Sequence, residues 1–160
     1  MITAIIFLIV ISVLVFVHEL GHFVAAKRAG MKVEEFGFGF PPRLFSVRRG
    51  GTLYSINAIP FGGFVRIFGE NGDSRNAPGS FGAGTFWQKV RVIVAGVVMN
   101  FLFAILLLMF GNFLGLRVGI FDAEMATRAT DQRVEILQIA PASPAEQAGL
   151  QPLDSIVGFR

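Results

Sequence analysis

The chain contains no cysteine, which excludes disulfides and thiolate metal sites alike. It carries no internal repeat and no low-complexity tract. Nowhere does a run of Lys or Arg interleave with aromatics in the manner of a nucleic-acid footprint, so nucleic acid is excluded as a partner. Charge is scarce, at 16% of 160 residues against 53% hydrophobic, and the mean hydropathy is +0.63. A basic leader is also missing, and no small-x-small site separates the first apolar stretch from His18. That stretch is therefore expected to stay attached rather than be cleaved as a signal peptide.

What remains is the composition of a membrane protein. From Ile2 to Val17 no residue is charged, and if Glu19 is accommodated the apolar run continues through Ala26. That suffices for one span, because a bilayer core needs about 20 residues of helix. A second run, Val92 to Leu116, has 25 residues without a charge between Arg91 and Arg117. The lipid bilayer is thus an expected partner of both segments.

Charge orients the spans. Ten of the 14 Lys and Arg fall between residues 27 and 91, and only four follow the second run. By the positive-inside rule the middle segment is cytoplasmic, and both the N-terminus and the tail lie on the outer side. The net charge of +3 reflects this topology.

Five pieces follow: a transmembrane helix over 1–28, a cytoplasmic-side β-rich re-entrant segment and mobile loop over 29–89, a second transmembrane helix over 90–116, a linker over 117–132, and the start of a further domain over 133–160. Within the middle piece, VEEFGFGF (33–40), RLFSV (43–47), TLYSINAI (52–59) and GFVRIF (63–68) are β-branched or aromatic runs separated by PP, RRGG and PFG. Those are strand and turn signals. The stretch NGDSRNAPGSFGAGT (71–85) is too polar and Gly-rich to bury a core, which makes it the expected mobile loop. Phe86 and Trp87, with Lys89 and Arg91 after them, mark the membrane interface.

The first span contains VFVHELGHFVAAK (15–27). On a helix, positions four apart project from one face, so His18 and His22 can share an ion, with Glu19 beside them. This is the zincin pattern: two imidazoles bind Zn²⁺, and the glutamate takes a proton from the water that attacks a carbonyl. A carboxylate at membrane depth costs about 2.5–3.5 kcal/mol on insertion scales, and a nearby dication offsets that cost. The bland alternative is a polar helix face that holds neighbouring helices together.

FVHELGHFVAAKRAG, FGFGFPPRLF, NAIPFGGFVRIFGE, TFWQKVRVIVAGVVMNFLFA and VEILQIAPASPAEQAGLQPLD, in this order, resemble the site-2 protease family of intramembrane zinc metalloproteases, in particular its bacterial regulator of sigma-E protease type. The resemblance covers the whole chain. It implies a mainly α-helical transmembrane core with a small membrane-associated β-hairpin or sheet and the start of a PDZ domain over 133–160, in which Ser143 and Pro144 look like an N-cap and N1. It also implies a multi-pass protein of the bacterial inner membrane, with HELGH toward the cytoplasmic side and the PDZ segment outside. The implied substrates are transmembrane segments of proteins such as anti-sigma factors already trimmed by an upstream site-1-type protease, or remnant signal peptides.

Such a protease must unwind a helical substrate and hold it extended, and an edge strand could do this by β-augmentation. EFGFGF is the expected edge, with Gly37, Phe38 and Gly39 as substrate-binding residues; an ordinary hairpin that merely packs is the other reading. Asn100 is the further substrate-binding candidate, since a lone amide in an apolar span needs a partner, although interhelical hydrogen bonding would serve equally. The family's Gly-Pro pair is Gly96-Val97 here.

A zincin also needs a third protein ligand, which the resemblance places in a Leu-Asp-Gly motif on a later helix. Leu153-Asp154 is followed by Ser155 and sits in a polar turn, and Glu34 and Glu35 lie in strand-like surroundings, so none of them fits. The 160 residues are accordingly expected to be an N-terminal portion, weak in zinc binding and inactive alone. Two other readings stand beside the protease: a membrane protease of another HExxH lineage with a glutamate as third ligand, and a non-catalytic scaffold that binds partners through its PDZ module.

Overall fold

The computed structural model describes residues 2–72, 74, 76–115, 119, 127–128 and 132–157. Its elements in chain order are α1 (Ile2–Arg28), β1 (Val33–Arg49), β2 (Thr52–Ile67), α2 (Phe86–Phe113), β3 (Val134–Glu135), α3 (Pro144–Gln147) and β4 (Ser155–Ile156). They fall into two compact units, Met1–Gly115 and Leu116–Arg160. Most of the linker expected over 117–132 lies outside the described residues, as do residues 158–160.

α1 runs without proline, and nothing interrupts it before Gly30, whose φ of +75° ends it. The Gly30 amide donates to the Lys27 carbonyl and the Met31 amide to the Ala26 carbonyl, a Schellman stop, with Lys27 and Arg28 in the last turn where they complement the helix dipole. α2 begins with a capping box: the Thr85 hydroxyl accepts from the Gln88 amide while the Gln88 side chain accepts from the Thr85 amide. The helix thus starts at Phe86, four residues before the expected 90, because the cap satisfies amides that would otherwise be exposed at its start.

Both helices are long and apolar enough to cross a membrane, and most of their large apolar side chains face outward, from Ile2 to Leu14 on α1 and from Phe101 to Phe113 on α2. Contiguous apolar surface on this scale has no place in water. The chain is a membrane protein.

The four expected strand runs form two long strands joined at Gly50-Gly51, with Arg49 opposite Thr52 and Arg43 opposite Asn57. Beyond the prolines at 41, 42 and 60, which cannot donate to a ladder, the register shifts repeatedly. As a result Glu35, Phe36, Gly37 and Phe38 are paired on one side with Leu53 to Ile56 and on the other with Arg66 to Gly63. The expected edge strand is therefore an interior one. Its glycines serve internal contacts: a Cβ at Gly37 would meet the Phe64 ring and the Ser55 hydroxyl, and one at Gly39 would stand 2.5 Å from the Ile59 carbonyl oxygen.

A single carboxylate organises this sheet. Glu35 accepts from Arg43 at 2.8 Å, from Ser55 at 2.7 Å and from Arg66; its side chain is 3% exposed, against 47% and 54% for the two arginines. A buried charge persists only with such partners.

The small core gathers Ala26, Met31, Val33, Ile67 and Val92, with Phe23, Val65 and Phe81 packed on it. It lies where the end of α1, both ends of the sheet and the start of α2 meet. The 71–85 loop returns to this core: the Lys32 amide donates to the Gly79 carbonyl, the Phe81 amide to the Phe68 carbonyl, and Ser80 is 1% exposed. Polar composition alone concealed that anchorage, since the bonds are backbone ones.

In the second unit, Val134 and Glu135 pair with Ile156 and Ser155. Ser143 caps α3 by accepting from the Glu146 amide, with Pro144 in its first turn, as the sequence indicated. Among the described residues there, two-residue strands and a four-residue helix do not amount to a PDZ fold.

Candidate metal centre

One turn of α1 is read by two different elements. Ser12, Phe16, Glu19 and Phe23 recur at helical spacing and face the sheet: the Ser12 hydroxyl shares its one proton between the Leu8 carbonyl of its own helix at 2.7 Å and the Pro60 carbonyl at 3.0 Å, Phe16 packs on Phe36 and Phe38 with ring centroids 5.5 and 5.6 Å apart, and Phe23 packs on Phe36 at 4.8 Å. His18, Gly21 and His22 face α2. A Cβ on Gly21 would collide with the Ala95 carbonyl, and the His18 ring lies against Gly96.

The consequence is a cluster at the seam. The ligand atoms of His18, Glu19 and His22 all lie within 4.8 Å of one another, each side chain half-buried. The two imidazoles stand 4.7 Å apart at an interplanar angle of 79°. His22 Nδ1 is 2.7 Å from the Val92 carbonyl oxygen of α2; a carbonyl only accepts, so Nδ1 carries the proton and Nε2 is left as the ligand atom. Glu19 Oε2 accepts from the Val65 amide of β2 at 3.2 Å. Each element flanking α1 thus contributes one backbone group to the turn.

These residues fit zinc. Imidazole nitrogens are among its ordinary donors, a carboxylate beside them suits the proton of a metal-activated water, and a ligand histidine commonly gives its other ring N–H to a carbonyl, as His22 does here. Among the described residues no further His, Asp or Glu joins the cluster. Glu35 is engaged by its arginines, Glu34 stands 3.8 Å from Arg66, and Asp154 accepts from the Gln151 amide.

The remaining expected site residues divide. Asn100 lies on α2 one turn beyond Gly96, and its Oδ1 is buried without a hydrogen-bond partner among the described residues. Such a group is destabilising unless something occupies it. Gly37 and Phe38 are inside the sheet, so their role as a free pairing edge is corrected. The side of β2 that faces α1, at Val65, is the one whose amide reaches the cluster. Sequence reasoning missed Val65 and Val92 because both act through the main chain, which looks the same at every residue.

Comparison with known proteins is consistent with this chemistry. The profile of the family described as "Peptidase family M50" matches residues 6–154. A Clostridium perfringens protein provisionally named a zinc metalloprotease is 38% identical over 150 residues, covering 94% of this chain and 40% of its own length. A Thermotoga maritima protein of the same designation is 35% identical over 154 residues, 94% of this chain and 28% of the relative. A third, from Vibrio cholerae, is 36% identical over 150 residues, 91% and 30% respectively. The chain therefore spans well under half the length of these relatives.

Proposed function

The chain belongs to peptidase family M50, whose metal is zinc, and on that premise we propose that it forms part of an intramembrane zinc metalloprotease that cuts transmembrane segments of other membrane proteins in regulated intramembrane proteolysis. The observation that carries this reading is the His18, Glu19, His22 cluster, set within a helix that holds no other charge before Lys27. An ionisable cluster at membrane depth is functional by default.

The steps follow from the residues. His18 and His22 would hold the metal, which when bound polarises the scissile carbonyl and activates water. Glu19, held at Oε2 by the Val65 amide, keeps its other oxygen for the proton that the attacking water releases, and it delivers that proton to the leaving nitrogen. The unpartnered Oδ1 of Asn100 accepts a main-chain N–H of the unwound substrate. The hairpin, with Leu44, Phe45, Val47 and Ile56 exposed, dips into the bilayer beside the site. Anti-sigma factors and remnant signal peptides are the substrate classes, delivered by an upstream site-1-type protease, and the inner membrane is the location, with HELGH toward the cytoplasm.

The test is Glu19→Gln in the full-length protein. Metal content should stay at the wild-type level while cleavage of a membrane-embedded substrate falls by about 10²–10⁴-fold, the usual worth of a general base. Normal cleavage by that variant would refute the assignment. A single cysteine at position 75, in a full-length protein with any other cysteine replaced, reports topology; labelling only from the outer side would overturn the orientation.

A further inference from the structure

Gly96 stands on α2 opposite His18. A Cβ built there would lie 2.5 Å from Nε2 of the His18 ring, 2.6 Å from Cε1 and 2.7 Å from Cδ2, whereas ordinary carbon contacts sit at about 3.5–4.0 Å. The overlap involves one whole edge of the ring at the far end of the side chain, so something must turn or move to admit a Cβ. Either the imidazole swings away or the helices separate. Separation is opposed one turn earlier on the same helix, where the Val92 carbonyl holds His22 Nδ1 at 2.7 Å. Both escapes displace a metal ligand.

Resting on the reading of HELGH as the zinc centre, we propose that Gly96 is a positioning residue of that centre: the missing side chain is the space in which the His18 imidazole stands, and together with the Val92 carbonyl it lets the first half of α2 set the pose of both histidines. α2 is then a template for the metal site while contributing no ligand to it. Nothing about the apolar character of the span requires glycine there, since alanine is the better helix former. The neighbouring Gly21 is an internal contrast. Its Cβ would meet the Ala95 backbone and Met99 first, so its part is the close approach of the two helices.

The experiment compares Gly96→Ala, Gly21→Ala and His18→Ala in the purified full-length protein. Zinc affinity is read by chelator competition, the visible spectrum by cobalt loading, and the melting temperature on metal-free protein. Gly96→Ala should weaken zinc by about 10- to 100-fold, the range typical of groups that orient ligands, and alter the cobalt spectrum, with the metal-free melting temperature unchanged or raised. Gly21→Ala, which forces the helix backbones apart, should lower the metal-free melting temperature and lose zinc only in step with it. If Gly96→Ala binds zinc normally while His18→Ala does not, the positioning role is refuted and the zinc centre stands. Should the two glycine variants lose zinc only in step with their melting temperatures, Gly96 is a helix contact and the proposal fails. If His18→Ala keeps its zinc, the fault lies with HELGH as the metal centre.

Discussion

α1 and α2 are 27 and 28 residues long, apolar along most of their length, and turned outward along much of their surface, yet they handle polarity in opposite ways. α1 gathers an acid and two imidazoles into one turn and presents them to two neighbours. α2 has one amide oxygen buried without a partner among the described residues, that of Asn100, and its other contribution to the site is what it lacks at Gly96 and what its backbone offers at Val92. On the proposed reading, one helix supplies the ligands of the metal and the other supplies room and a carbonyl. The second job leaves almost no mark on side-chain chemistry.

Several substitutions would break or sharpen that contrast. The largest effect belongs to the ligand helix: His22→Ala should remove the bound zinc, measured by metal analysis, and take cleavage to background, because the ion loses one of its few protein donors. The next is on the sheet rather than either helix. Glu35→Ala strips partners from Arg43, Arg66 and Ser55 and should destabilise the fold by about 1.5–3 kcal/mol, the range for hydrogen bonds to a charged group, seen as a lower melting temperature with the HELGH turn still able to bind metal. A variant whose zinc fell while its melting temperature held would mean that Glu35 reaches the site directly.

On α2, Asn100→Ala should keep full zinc content and lower kcat/KM by about tenfold, equivalent to about 1.4 kcal/mol, one hydrogen bond to substrate. Unchanged kcat/KM would make Asn100 a helix contact and leave α2 with only its positioning part. The smallest effect is expected at Ser12→Ala, which removes the bond to the Pro60 carbonyl and should cost about 0.5–1.5 kcal/mol. Its cleavage rate should stay within a few-fold of wild type. A complete loss would show that the contact between α1 and this part of β2 depends on that one hydroxyl.

Much of the site and fold was readable in the residues. The i, i+4 spacing of His18 and His22 is a local property of any helix, so the cluster follows once α1 is granted. Gly30 as a helix stop, Ser143-Pro144 as a start and Gly50-Gly51 as a hairpin turn are equally local signals. Thr85-x-x-Gln88 was legible too, but the aromatic pair between them drew the reading toward a membrane interface and moved the helix start. The order of the strands was not legible. Residues 35–38 look like an edge because glycines alternate with phenylalanines, and only the pairing of this segment with both 53–56 and 63–66 reveals it as interior. Register between segments tens of residues apart depends on long-range pairing that local composition does not encode.

The sequence by itself determined that two segments are apolar enough for a bilayer, that the basic residues cluster between them, and that one helical turn carries a zinc-type donor set, because each of these is a matter of residue type and spacing along the chain. The tertiary structure alone decided which nitrogen of His22 faces away from the Val92 carbonyl, what holds Glu19, that residue 96 stands against the His18 ring, and that Gly37 and Gly39 serve the sheet's own packing. Those outcomes turn on backbone carbonyls, backbone amides and empty volume brought from distant parts of the chain, and none of the three has a letter in the sequence.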